Sequence, residues 1–225
     1  MPQPIPNTEN SRNTDGRVAR GEATRERVLD AAERCFASEG FEAVTIRQIA
    51  RAAEVTLGVV SFHGGSKEDL FKTVLARRVA TLDDLRKAAL AEVRARGELT
   101  IRDVVDAYLT PYLDIASRGD PQWRAYAQLI ARVASNDDYF PEVRELYDPT
   151  ARIFIAEFQR LRPGASTEEL ATVLTLTVAT MLSIVASRAR IAGLSDSDEI
   201  DQPISYRSKL IDFCTGGIEM VLPSD

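Results

Sequence analysis

Residues 45–70 read TIRQIARAAEVTLGVVSFHGGSKEDL, a short run that gathers cations, hydroxyls and the single histidine of the chain. These groups suit the holding of phosphates and polar edges, not the making and breaking of bonds. Arg47 and Lys67 can pair with a phosphate or with a guanine edge, and Leu57 and Phe62 can lie on a thymine methyl or a sugar. Gly58 carries no side chain and lets a duplex come close. His63 has no partners for catalysis: no nucleophile stands at a motif spacing, no carboxylates are paired, and no second metal ligand is near. Cys35 and Cys214 lie far apart in sequence and form no metal spacing; Cys35 falls on an apolar helical stripe, where a packed thiol is expected. No enzyme, cofactor or metal is expected.

The elements that must position this set are short helices. Thr45-x-x-Gln48 is a capping box, and Val44 with Ile49 can close a hydrophobic staple over it. Ile46, Ile49, Ala50 and Ala53 then recur at helical spacing, with Arg47, Gln48 and Arg51 outward. A break at Glu54-Val55 precedes Thr56, an expected N-cap for a helix too short to stand alone. Gly64-Gly65 ends it, and Ser66 caps the next helix with Glu68 and Asp69 in its first turn. Two short helices joined tightly, the second presenting small and polar residues, make a helix-turn-helix. A helix of about 10–12 Å diameter fits the major groove, which is about 12 Å wide.

On these residues the chain resembles the TetR family of bacterial regulators. The match runs through Thr45, Ile49, Ala50, Val55-Thr56-x-Gly58, His63 and Ser66-Lys67-Glu68-x-Leu70, and is sharp over roughly residues 22–72. Where members commonly carry a tyrosine in the second helix and an aromatic after the histidine, this chain has Phe62 and Gly64. The resemblance implies an all-α protein of about nine helices. A disordered arm would cover 1–20, a three-helix DNA-binding domain 21–66, and an effector-binding and dimerisation domain 67–225. It implies a DNA-contact set of Thr45, Arg47, Thr56, Leu57, Gly58, Ser61, Phe62, His63 and Lys67. The expected partners are a palindromic double-stranded operator, a second copy of the chain and a largely apolar small-molecule effector. The alternative is an all-α ligand-binding or scaffold protein whose helix-turn-helix no longer reads DNA.

Charge bears on that choice. The net charge is −6 over 225 residues, which by itself disfavours a polyanion as partner. Residues 1–78, however, hold 12 Lys/Arg against 11 Asp/Glu, while the remainder holds 16 against 23. The acidity therefore sits away from the helix-turn-helix. No charged-then-apolar leader opens the chain, so a cytoplasmic location is expected. Leu170–Ser187 has membrane length, but its four threonines and two serines favour a buried helix of a soluble protein.

The rest of the chain reads as helices broken by prolines. Glu22–Ser38 is expected as the first, with stripe Val28, Leu29, Ala32, Cys35 and Phe36, and a long one should run from Ser66 to about Arg94. Helices over Thr100–Ser117, Pro121 to about Asn136, and Asp137 to Leu161 follow, with interruptions expected at Pro111, Pro141 and Pro149. Their aromatics Tyr108, Tyr112, Trp123, Tyr126, Tyr147, Phe154 and Phe158 are the expected walls of an effector pocket. Ser166-x-x-Glu169 opens a helix over Thr167–Ala192 that is apolar all round, and a last helix spans about Pro203–Leu222. Those two should form half of a dimeric four-helix bundle through Leu174, Met181, Leu182, Leu210, Phe213 and Gly217.

Overall fold

The computed structural model describes the backbone of residues 8–134 and 140–223, and side chains within 17–134 and 143–223. Among the described residues there are ten α-helices, one 3-10 turn and no strand. The chain divides into two compact units, up to Val74 and from Leu75 onward.

In the first unit, α1 (Thr8–Glu39) packs on α2 (Ile46–Ala52) and α3 (Leu57–Gly64). The arm expected to be disordered through residue 20 is helical from Thr8; residues 1–7 lie outside the described residues. No proline interrupts 8–39, and once the packed turns around Val28–Phe36 nucleate a helix, adding polar residues at its end costs little. Val28, Leu29, Phe36, Val44, Ile49 and Val60 are fully or almost fully buried at the centre of this unit. Phe36, Phe41 and Phe71 form a ring cluster, with Phe71 edge-on to Phe36 at 5.3 Å and tilted against Phe41 at 4.8 Å. Phe71 belongs to α4 (Lys67–Ala95), whose first turns also bury Leu70 and Val74. That burial joins the first turns of α4 to this unit, which runs to Val74.

The local signals act as their chemistry requires. The Thr45 amide and hydroxyl each donate to Gln48 Oε1 at 2.7 Å, and the Gln48 amide donates back to Thr45 Oγ1 at 3.3 Å. Gln48 also reaches Glu39 at 3.0 Å, tying α2 to the end of α1. Thr56 stands at the N-cap of α3 but its side chain makes no cap bond. Glu54, in the turn between the two helices, takes φ 55°, a left-handed conformation uncommon outside glycine.

The second unit holds the rest of α4, then α5 (Ile101–Ser117), α6 (Pro121–Ala134), α7 (Phe140–Leu161), α8 (Thr167–Ala186), α9 (Arg188–Leu194), a 3-10 turn (Pro203–Tyr206) and α10 (Arg207–Val221). The helix ends expected at Asn136 and Asp137 lie outside the described residues. α5 is the central element, flanked by α6, α7, α8 and α10. It stays helical through Pro111, and α7 through Pro149. The helix expected over Thr167–Ala192 breaks at Ser187, and the residues expected at the start of the last helix form the 3-10 turn instead. Arg207 on α10 grips Asp106 and Thr110 of α5, and Arg102 of α5 pairs with Asp212. By length and composition α8 could cross a membrane. It packs instead against α5, α6, α7 and α10 and buries Leu170, Val173, Leu174, Thr177, Met181 and Leu182.

Candidate functional site

α3 has one inward and one outward side. Val60 and Gly64 are buried, whereas Leu57, Gly58, Ser61 and Phe62 are exposed, at the spacing that shares a helix face. Phe62 is 84% exposed, with its ring edge-on to the His63 imidazole at 5.0 Å. A ring so uncovered has no packing role in this unit. Open space surrounds Gly58, so nothing of the chain itself limits close approach there. Thr45, Arg47 and Thr56 are exposed, while His63 and Lys67 are half-buried.

Gly64 is where the helix meets its support. A Cβ there would stand 2.8 Å from Leu70 Cδ1, so Leu70, fully buried, fills the room that a side chain at 64 would need. Gly65 takes φ 69° to turn the chain into α4. Ser66 and Asp69 then close a capping box, and the hydrogen bonds from Ser66 hold the Asp69 carboxyl below its ordinary range. Lys67 has work within the chain: its ammonium donates to the Glu42 carbonyl at 3.2 Å and lies 4.5 Å from the Phe41 ring centre. It pins the α1–α2 loop to the start of α4 and keeps two further N–H donors.

In the second unit the described residues surround a cavity of about 280 Å³. Tyr108, Tyr112, Tyr126 and Tyr147 line it, as expected; Trp123, Phe154 and Phe158 do not. Trp123 stands edge-on to Tyr126 at 5.6 Å with Arg78 over its face, and Phe154 stands edge-on to Tyr108 at 4.9 Å. Phe158 is 1% exposed. Phe154 and Phe158 are spent on core packing, whereas Trp123 is half-buried.

Burial pushes the hydroxyls of Tyr112, Tyr126 and Tyr147 well above the ordinary tyrosine range, so all three stay neutral and able to donate. Tyr126 and Tyr147 share a hydrogen bond at 3.2 Å. Tyr112, 2% exposed, finds no hydrogen-bond partner for its hydroxyl. The other polar members are Arg86 of α4 and Thr175 of α8, both absent from the expected pocket. Arg86 is the one charged side chain among the described lining residues. Its signal was in the sequence: Leu75, Val79, Leu82, Arg86 and Leu90 recur at helical spacing, a cation set within an apolar stripe.

Four of the residues expected at a dimer contact are covered by their own chain. Leu174, Met181 and Leu182 are buried within their own chain and line the cavity. Leu210 is also buried, at 3% exposure. An all-apolar helix does not announce which side its own chain will cover. The uncovered apolar side chains of α8 and α10 are Leu176, Phe213, Met220 and Val221, and Gly217 is exposed beside them. Among the described residues no group of His, Cys, Asp or Glu is placed to hold a metal ion.

The chain matches two family descriptions: bacterial regulatory proteins of the tetR family over residues 28–74, and the tetracyclin repressor-like C-terminal domain over 106–217. It is 33% identical over 172 residues to the HTH-type transcriptional repressor AcnR of Corynebacterium efficiens, spanning 68% of this chain and 89% of that one. In fold it is similar to the fatty acid degradation regulator FadR of Bacillus halodurans, with a TM-score of 0.64 at 13% identity over 86% of this chain and 95% of the other. FadR of Bacillus subtilis, solved in complex with stearoyl-CoA, is similar at a TM-score of 0.63 and 14% identity over 85% and 98%. The first match falls on the helix-turn-helix and the second on the unit that holds the cavity. The chain belongs to the TetR family of bacterial transcriptional regulators.

Proposed function

We propose that this regulator is a cytoplasmic homodimeric repressor that binds a palindromic operator and leaves it when a small molecule enters the cavity. Two α3 helices would occupy successive major grooves, about 34–36 Å apart. What carries this reading is one family-matched chain with both an uncovered α3 face, led by Phe62, Ser61 and Gly58, and a tyrosine-lined cavity in its second unit. The dimer reading is supported by Leu176, Phe213, Met220 and Val221, large apolar side chains left in water on two helices that touch each other. A C2 contact through them would be self-complementary. The effector must prefer the conformation that misfits DNA. A hundredfold preference corresponds to about 2.7 kcal/mol.

The mostly apolar lining calls for a mostly apolar ligand. The stearoyl-CoA complex of Bacillus subtilis FadR supports a ligand-receiving role for a domain of this fold. Selection from a random duplex pool, followed by fluorescence anisotropy at moderate salt, tests the reading. Enrichment of an inverted repeat is the expected result. Binding no tighter than to unselected duplex would favour the alternative, a ligand-binding protein with a silent helix-turn-helix.

A further inference from the structure

We propose that the cavity recognises a monocarboxylate, held by Arg86 and the Tyr112 hydroxyl, with the apolar body of the acid lying against Leu82, Ile130, Val143 and Met181. This rests on the cavity being the effector site, and it names the chemical class of the effector.

Arg86 is 7% exposed and lines the cavity. Its guanidinium is permanently charged and has five N–H donors in a planar fork. One of them is used: Nε donates to the Tyr108 carbonyl at 3.0 Å. No carboxylate among the described residues pairs with it. The Tyr108 ring, 3.9 Å from the guanidinium carbon, shields one face and leaves the outer nitrogens for another acceptor. A buried cation without a counter-charge is costly, and a ligand anion that supplied one would recover much of that cost.

Tyr112 gives a second, independent pointer. The Tyr112 side chain lines the same cavity, and its hydroxyl is buried and has no partner. Burial keeps it protonated, and Arg86, Tyr112, Tyr126 and Tyr147 line the same cavity. A carboxylate has two oxygens, each able to accept more than once, and so can take the guanidinium fork and a tyrosine proton together. One cation among neutral phenols matches one negative charge; a phosphate dianion would remain uncompensated. A neutral ligand would leave the guanidinium unpaired.

The test uses the full chain with octanoate and phenylacetate, each beside its primary amide, followed by calorimetry and by the emission of Trp123, the only tryptophan. The acids are expected to bind roughly tenfold to a hundredfold more tightly than the amides, the range set by hydrogen bonds to a charged group. Arg86→Gln should abolish that preference. Should it fail to fold, Tyr112→Phe, which removes one unpartnered oxygen, should still lower acid affinity several-fold and leave amide affinity unchanged. Leu174→Trp, which fills the cavity, should block all four ligands. If acid and amide bind equally and Leu174→Trp blocks both, the cavity stands as the effector site and the carboxylate inference is overturned. Tight acid binding unaffected by Leu174→Trp overturns the cavity reading itself. If neither acid nor amide binds, the inference fails.

Discussion

The Arg86 guanidinium carbon stands 3.9 Å from the centre of the Tyr108 ring, while Arg86 Nε donates to the carbonyl of the same residue. Both contacts give a buried cation partial negative charge, and neither gives it a full one. Beside it, Pro111 leaves the Ala107 carbonyl without its usual helical donor, so this turn of α5 has acceptors to spare. Cation and phenol are therefore held ready in the wall of the cavity, and the first expectation follows from that.

Tyr112→Phe should stabilise the ligand-free protein, because a buried hydroxyl without a partner costs about 1–3 kcal/mol that a phenyl ring does not. Thermal unfolding should show a raised midpoint. A lowered midpoint would mean that the hydroxyl has a partner, which would remove one of the two supports for the ligand class.

The two sides of α8 and α10 should respond differently to charge. Phe213→Glu, at a side chain 69% exposed, should give folded monomers in analytical ultracentrifugation. Leu182→Glu, at one 7% exposed, should destabilise the chain by about 3 kcal/mol or more, since the carboxylate is buried without a partner. Equal stability for both variants would contradict the orientation of α8.

On the helix-turn-helix, Phe62→Ala should leave thermal stability unchanged and weaken operator binding. Arg47→Ala should lower the slope of log affinity against log salt by about one. Lys67→Ala should differ from both, losing about 0.5–1.5 kcal/mol of stability with the Glu42 carbonyl contact. A Lys67→Ala protein as stable as the parent would show that this ammonium serves DNA alone.

Backbone conformation gives opposite signs at two nearby positions. Gly65→Ala should destabilise by about 1–3 kcal/mol, because φ 69° with ψ −134° lies in a region nearly closed to side chains and the new Cβ would meet Asp69 Oδ2 at 2.8 Å. Glu54→Gly should stabilise by roughly 0.5–1 kcal/mol by relieving a left-handed conformation. Chemical denaturation of the two variants checks both signs.

What the sequence determined by itself was whatever a few neighbouring residues decide among themselves. Thr45 and Gln48, or Ser166 and Glu169, bond across three positions, so the helix starts they mark needed no knowledge of the rest. Gly40 and Gly97 likewise end helices through their own positive φ. Individual helices followed from periodicity, and the family, with the all-α class it implies, from residue types at fixed offsets within one helix-turn-helix. The tertiary structure decided whatever depends on partners far along the chain. Lys67 meets a carbonyl 25 residues away, and Arg86 meets one 22 residues away; no spacing rule anticipates either contact. The same holds for α8, whose apolar residues lie all round. Leu182 turns inward and Leu176 outward only because α5, α6 and α7 cover one side of that helix and leave the other in water.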